Sequence, residues 1–458
     1  MRDFLSNVPA SEVPAPVRHN LNRILSAALQ AVSPEECTAS ALTIEGQNLR
    51  AGSSTFEIRH IRSVRLLAIG KAAQRMAAGA AIVLRCLPVP LTGLVISKHI
   101  DPAIQLPKDV EVLSGGHPVP DQSSLQAGRR ASEFAQASQE GDLLLCLISG
   151  GGSALVSLPV TGVTLGDLQE LTRQLLACGA EIQEINALRK HLDQVKGGGI
   201  ARLAQPARVV SLILSDVIGN PLDVIASGPT VPDPSSFSTC QSILEKYDLV
   251  DAIPAAIRLH LQKGLRGEIV DTPFEGDPLF ANVSNWVVGS NYNAAQAALA
   301  EARQLGFQSL LLTTYLRGEA SQAGLTLASL LRQIHASREP LPRPCCLVCG
   351  GETTVTLGRE YGKGGRNLEL ALGAVQELAN LPRVALISLA TDGEDGPTDA
   401  AGAVVTGGTL QAGLRAKPSI NAALSSHNAY PYFEQTGGLI RIGSTGTNVN
   451  DLTFLFAW

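Results

Sequence analysis

Seven glycine-bearing segments of the chain set a charged or hydroxyl side chain beside backbone that can come close to a ligand. Lys71 follows Gly70. Ser149, Gly150, Gly151, Gly152 and Ser153 form one unbroken run. Arg189, Lys190 and His191 precede Lys196 and the triplet Gly197, Gly198 and Gly199. Asp216 follows Ser215, with Gly219 soon after and Asp223 as a weaker acidic candidate. Glu352 follows Gly350 and Gly351. Lys363, Arg366 and Asn367 are interleaved with Gly362, Gly364 and Gly365, and Asp392, Glu394, Asp395 and Asp399 share one loop. Glycine lets the backbone turn several N–H groups toward an anion. Lysine and arginine neutralise phosphoryl oxygens, arginine with a two-pronged fork. A carboxylate at a strand end can take a hydroxyl proton or bind a metal. Together these are the parts of phosphoryl transfer, which needs positioning and positive charge and few covalent roles.

Each segment also has a plainer role open to it. Lys71 could be a solvated residue of a first helical turn, although a cation there opposes the helix dipole. Gly197, Gly198 and Gly199 could simply end a helix. Asp216 could cap one, and the loop 392–399 could be a set of Asx turns. A twelve-residue calcium loop does not fit its spacing. The P-loop, the G-x-G-x-x-G fingerprint, the nucleophile elbow and H-E-x-x-H are all absent from the sequence. Their absence weakens a P-loop enzyme, a nicotinamide-dependent dehydrogenase, an α/β-hydrolase and a zinc protease.

The positioning elements are legible as short apolar runs alternating with helical periodicity. Strands are predicted at 64–69, 91–97, 110–113, 143–148 and 209–214, with helices at 72–87, 122–138, 165–178 and 181–195. Buried strands without alternation, separated by helices, indicate a mostly parallel α/β sheet. After an irregular stretch at 264–285 the pattern restarts with strands near 286–288, 310–313, 346–349, 384–389 and 452–456. The helices of this half lie at 292–305 and 319–336. An amphipathic helix from Leu21 to Val32 precedes all of this. Two α/β domains are expected, a larger one at 1–275 and a smaller one at 276–458.

Composition narrows the functional classes. A net charge of −5 disfavours a nucleic-acid partner. No run of 18 apolar residues suggests a membrane span, and no basic head with an apolar core marks a signal peptide, so a cytoplasmic protein is expected. Cys346 and Cys349 form a lone C-x-x-C, more simply read as a buried strand than as zinc or redox chemistry. The chain has 44 glycines where average usage gives roughly 32. Eleven of them fall in the segments 150–152, 197–199, 350–351 and 362–365, so the surplus sits in proposed ligand-facing loops.

The same segments carry a resemblance. Residues 70–73 (GKAA), 116–121 (GHPVPD), 148–155 (ISGGGSAL), 190–199 (KHLDQVKGGG), 214–219 (LSDVIG) and 225–230 (IASGPT) resemble the class II glycerate kinases. So do 349–354 (CGGETT), 362–372, 391–403 and 445–452 (TGTNVNDL). This is the glycerate 2-kinase family with a C-terminal MOFRL domain, here about 345–458. The resemblance runs from about Val64 to the end, with departures at Leu368, Glu394 and Ser444. It implies ATP-dependent phosphorylation of D-glycerate on its 2-hydroxyl, and an active site in the cleft between a larger Rossmann-like domain and a smaller MOFRL-type one.

It also implies catalytic roles for Lys71 and Asp216, with Arg366 as the clamp on substrate or transition state. Substrate or nucleotide binding is expected at Ser149, Gly150, Gly151, Gly152, Ser153, Lys196, Glu352, Gly364, Gly365 and Asn367. Asp392 and Asp395 are the candidates for magnesium. Small-molecule partners are expected, without nucleic acid or membrane; the residues do not fix the oligomeric state, and a homodimer is one option. A hydroxypyruvate reductase and a non-catalytic sugar-acid-binding protein are the competing readings; the first lacks a dinucleotide fingerprint.

Overall fold

Short strands with polar alternation begin the first unit. In a computed structural model of the chain, which describes residues 2–458, β1 (Leu42–Glu45), β2 (Asn48–Ala51) and β3 (Ser54–Glu57) form an antiparallel three-stranded sheet. Six longer strands follow: β4 (Ser63–Ile69), β5 (Leu91–Ser97), β6 (Val110–Ser114), β7 (Asp142–Ser149), β8 (Arg208–Leu214) and β9 (Val283–Gly289). They lie in the order β6-β5-β4-β7-β8-β9. Pairs β5–β6, β4–β5, β4–β7 and β7–β8 all run parallel. Every residue of β7 is buried, as a strand covered on both faces requires. One apolar core joins Leu67, Leu94, Leu144, Ile148 and Ile213 to the helix Gln122–Gln136 through Ala127, Ala131 and Ala135. Asp121 starts that helix in register by accepting the Ser123 and Ser124 N–H groups, satisfying donors the helix itself leaves unpaired.

The second six-stranded sheet is mixed. Its strands are β10 (Gln308–Leu316), β11 (Cys345–Gly351), β12 (Val384–Ala390), β13 (Gly402–Thr406), β14 (Leu439–Ile440) and β15 (Asp451–Ala457). Only β10 and β11 pair in parallel; β15 lies between β11 and β12, antiparallel to both. Phe454 and Phe456 of β15 are fully buried, their rings parallel at 6.1 Å. Cys345, Cys346 and Cys349 are free, buried residues of β11.

The chain divides into one unit of residues 34–288 and another that joins the segment ending at Ser33 to Gly289–Trp458. This differs from the expected units 1–275 and 276–458 at both ends. The apolar run 286–288 completes the first sheet as β9 instead of opening a second one. The helix Ala15–Gln30 packs with the C-terminal unit: Arg23 pairs with Glu301 at 2.6 Å, and Thr447 Oγ1 donates to the Val32 carbonyl at 2.7 Å. Among the described residues no helix is long and apolar enough to cross a membrane.

Candidate active site

The order β6-β5-β4-β7-β8-β9 changes direction between β4 and β7. Open α/β sheets bind ligands at such a switch, outside the carboxyl ends of the strands. Gly70 and Lys71 leave β4 there, and Gly150 and Gly151 leave β7. The two turns are tied together: Lys71 N–H donates to the Gly150 carbonyl at 2.9 Å, and Ala72 N–H to Ser149 Oγ at 3.1 Å. Asp216, at the end of β8, lies against Gly150 so closely that a Cβ on Gly150 would stand 1.7 Å from its Oδ2. Gly151 has φ +80°, and a Cβ on it would meet His117 Cδ2 at 3.1 Å and Lys71 Cε at 3.2 Å. Glycine is therefore required at 150 by the carboxylate and at 151 by the backbone. A cation, a carboxylate and an imidazole thus stand around the Gly150–Gly151 backbone, which is buried at Gly150 and half-buried at Gly151.

Gly150→Ala tests this packing. The methyl group must displace Asp216, and misplacement of a reacting group by about 1 Å costs roughly a hundredfold in rate. We expect a loss of that order in kcat with the melting temperature little changed; wild-type turnover would show that Asp216 need not stand where it does.

His117, in the GHPVPD segment, joins the site although the sequence alone attaches no role to it. Burial, with Lys71 and Lys98 nearby, pushes its pKa down to about 4, so the ring is neutral near pH 7. It can offer a hydrogen bond or accept a proton but not a fixed charge. Ser153 faces Ser227, the two hydroxyl oxygens 2.8 Å apart. Lys196 is placed differently from its expected ligand role. It is buried, its Nζ donating to Asp193 Oδ2 at 2.6 Å and to the Val156 carbonyl at 2.9 Å, which makes it an internal tie. Lys190 is likewise buried, 2.6 Å from Asp233.

The C-terminal unit carries a second polar cluster. Because β15 runs antiparallel to both neighbours, Asp451 pairs with Gly351 on one side and Ala390 on the other. The ends of β11 and β12 and the start of β15 therefore share one edge. Arg366 opens the helix Arg366–Leu378, hydrogen-bonds Glu352 through Nη1 and stands 3.2 Å from Asp451 Oδ2 through Nε. Burial works against its charge, but Asp451 and Glu352 outweigh that and raise its pKa. Asp451, in the segment 445–452, is a residue of this cluster to which the sequence alone attaches no role. Burial pushes its pKa up to about 7; Arg366 pulls it down, and Asp395 and Glu352 push it further up.

Asn367 and Asp395 are structural. Asp395 accepts the Asn367 and Leu368 N–H groups at 3.0 and 2.8 Å, satisfying the helix start, and also the Asn367 amide at 3.2 Å. Asn367 is buried and accepts from Ser388 Oγ at 2.7 Å. Gly365 makes room for Asp395, its Cβ position lying 2.3 Å from the carboxyl carbon, while Gly364 lies half-buried beside the His427 carbonyl. Asp395, one of the two expected magnesium ligands, thus has both carboxylate oxygens engaged by the helix start. Among the described residues no group of three or more His, Cys, Asp or Glu side chains could hold a metal.

The raised Asp451 pKa predicts a stability signature. An ordinary aspartate ionises near 3.8. Between that value and about 7 the unfolded chain therefore gives up a proton the folded chain keeps, so this group lowers stability as pH rises through the window. Asp451→Asn should lose less stability than wild type between pH 5 and pH 7 in urea titrations. Equal losses would place the ionisation of Asp451 outside that range.

A parallel sheet with glycine-bearing turns at its switch, joined in one chain to a second unit with a mixed sheet and an arginine–carboxylate cluster, defines a two-unit α/β protein. Residues 20–262 match the model of a domain of unknown function, DUF4147, and residues 345–451 that of the MOFRL family. A glycerate 2-kinase of Pyrococcus horikoshii is 40% identical over 94% of this chain and 95% of its own. A D-glycerate 2-kinase of Thermotoga maritima is 40% identical over 88% of this chain and 93% of its own. The crystal structure of a glycerate kinase from Thermotoga maritima superposes with a TM-score of 0.84 at 36% identity, covering 97% of this chain and all of that one. This chain belongs to the class II glycerate kinase family.

Proposed function

We propose that the protein transfers the γ-phosphoryl group of ATP to the 2-hydroxyl of D-glycerate, giving 2-phosphoglycerate and ADP. The observation that carries this reading is the convergence of Lys71 and Asp216 on the Gly150–Gly151 backbone at the sheet's switch point, in a chain of this family. Asp216 accepts the hydroxyl proton as the glycerate oxygen bonds to phosphorus. The bond to the ADP oxygen breaks, and the electron pair leaves with ADP. Lys71 balances charge on the phosphoryl oxygens, and the 150–153 backbone offers N–H donors, so that positive charge stands where negative charge develops. Arg366 grips the glycerate carboxylate or the phosphoryl group with its fork. Magnesium enters as the ATP complex.

The test is product identification. Purified protein is supplied with D-glycerate and magnesium–ATP, and the phosphate esters are resolved by phosphorus NMR. 2-Phosphoglycerate is expected. 3-Phosphoglycerate keeps the kinase and moves the acceptor atom; NADH oxidation with hydroxypyruvate and no ADP overturns the reading.

A further inference from the structure

A cavity of about 390 Å³ opens within the 34–288 unit, beside the 149–153 glycine run. Its walls are apolar: Leu168, Leu171 and Leu175 come from the helix Leu165–Ala177, and Ile185 from the helix Ile182–His191. Its volume lies in the roughly 300–1,000 Å³ range of small-molecule sites. Two features join it to that run. Ser153, the last residue of the 149–153 run, lines it, and so does Pro118, next to the His117 that lies over Gly151.

The cavity carries one uncompensated charge. Lys196 at its wall is cancelled by Asp193, which also accepts from Ser157 Oγ at 2.9 Å and from the Leu158 and Val195 N–H groups. Arg173 is held by Glu170 at 2.6 Å. Arg189 has no such partner: among the described residues its guanidinium makes no hydrogen bond or ion pair, and burial alone lowers its pKa. A half-buried guanidinium without a carboxylate is costly unless an anion meets it. The ligand chemistry that satisfies this cavity is a broad apolar body ending in a strong anion. D-Glycerate does not fit, since its polar groups on three carbons would be stranded against leucines. A nucleotide does, with its flat base among the leucines and a phosphate on the arginine fork.

We propose that this cavity seats the base and ribose of the phosphoryl donor, with Arg189 pairing to one of its phosphates as the phosphate chain meets the 149–153 run at Ser153. The assignment rests on the ATP-dependent reading above, and binding separates the two. Titration calorimetry of the full chain with ATP, and separately with D-glycerate, compares wild type, Arg189→Met and Val119→Trp. Val119 lines the cavity at its rim and is 58% exposed, so tryptophan there obstructs the mouth without entering the core.

Loss of a charge-assisted phosphate contact should weaken ATP binding roughly tenfold or more in Arg189→Met. Val119→Trp should weaken it as well, and D-glycerate affinity should hold in both. ATP affinity unchanged in both variants, or D-glycerate binding lost in place of ATP, overturns the assignment. So does a wild-type chain that binds no ATP, even if it phosphorylates glycerate from another donor. ATP held through Arg189 without any 2-phosphoglycerate formed supports the cavity and removes the proposed reaction. If Arg189→Met does not fold, Val119→Trp decides.

Discussion

Lys71→Ala should lower kcat at least about a hundredfold, the usual loss when one donor to a developing negative charge is removed. The fold should survive the change. Lys71 is exposed, and among the described residues its side chain makes no hydrogen bond or ion pair, so the truncation leaves no buried group stranded. What it does touch is electrostatic. Lys71 is one of two cations that help burial hold the His117 pKa down to about 4. Its removal should move the His117 titration upward, visible by NMR in the same sample used for kinetics. That second readout separates a lost charge from a lost fold. A variant with near-normal turnover would take Lys71 out of the mechanism, whatever happened to His117.

The parts of the fold visible in sequence are those written in local pattern. β7 is an unbroken apolar run from Leu143 to Ile148, β4 and β8 are apolar after their first residues but for Arg65 and Ser211 within them, and such runs are strands where both faces are covered, which a parallel sheet with flanking helices supplies. What local pattern lacks is direction and destination. β15 reads as the same kind of run, yet it lies antiparallel between β11 and β12, and nothing in the side-chain sequence LTFLFA distinguishes the two senses. The Leu21-to-Val32 periodicity shows a helix with an apolar stripe. It does not show that the stripe meets a partner more than 250 residues later, the helix Asn291–Gln304, which carries the Glu301 paired to Arg23. β9 misled for the same reason: an apolar triplet after a long irregular stretch looks like a beginning, and here it is the last strand of the sheet before it.

In the site, residue type was legible and burial was not. Lys71 and Lys196 look alike as lysines beside glycine, one on an exposed turn and the other sealed against Asp193. The sign of that difference was present, since Asp193 stands three residues before Lys196, the spacing of a local ion pair. Asp395 offered no such hint. It caps a helix that begins 29 residues earlier in the chain, at Arg366, and only the folded edge of the sheet reveals that its oxygens are already occupied. Asp451 stands at the first position of β15, between the polar TGTNVN stretch and an apolar run, and its importance lies in what it faces.

Arg366→Met should lower kcat/KM by at least about a hundredfold, because a two-pronged grip on an oxyanion is lost and not merely weakened. The difficulty is to tell this from damage to the cluster. Arg366 is the cation between Glu352 and Asp451, and without it those carboxylates and nearby Asp395 repel one another. Asp451 provides the relief: already pushed up to about 7, it keeps its proton once the guanidinium is gone, so the cluster loses charge and the fold holds. Arg366→Lys should recover little, since a single ammonium cannot serve Glu352, Asp451 and a substrate oxyanion together. Asp451→Asn is the decisive comparison. It keeps the guanidinium and removes one of its partners. If Arg366 acts on substrate, Asp451→Asn should be much more active than Arg366→Met, with the difference in kcat/KM and not in melting temperature. If the two variants lose activity equally, Arg366 serves only to hold its neighbours, and the clamp must be sought elsewhere.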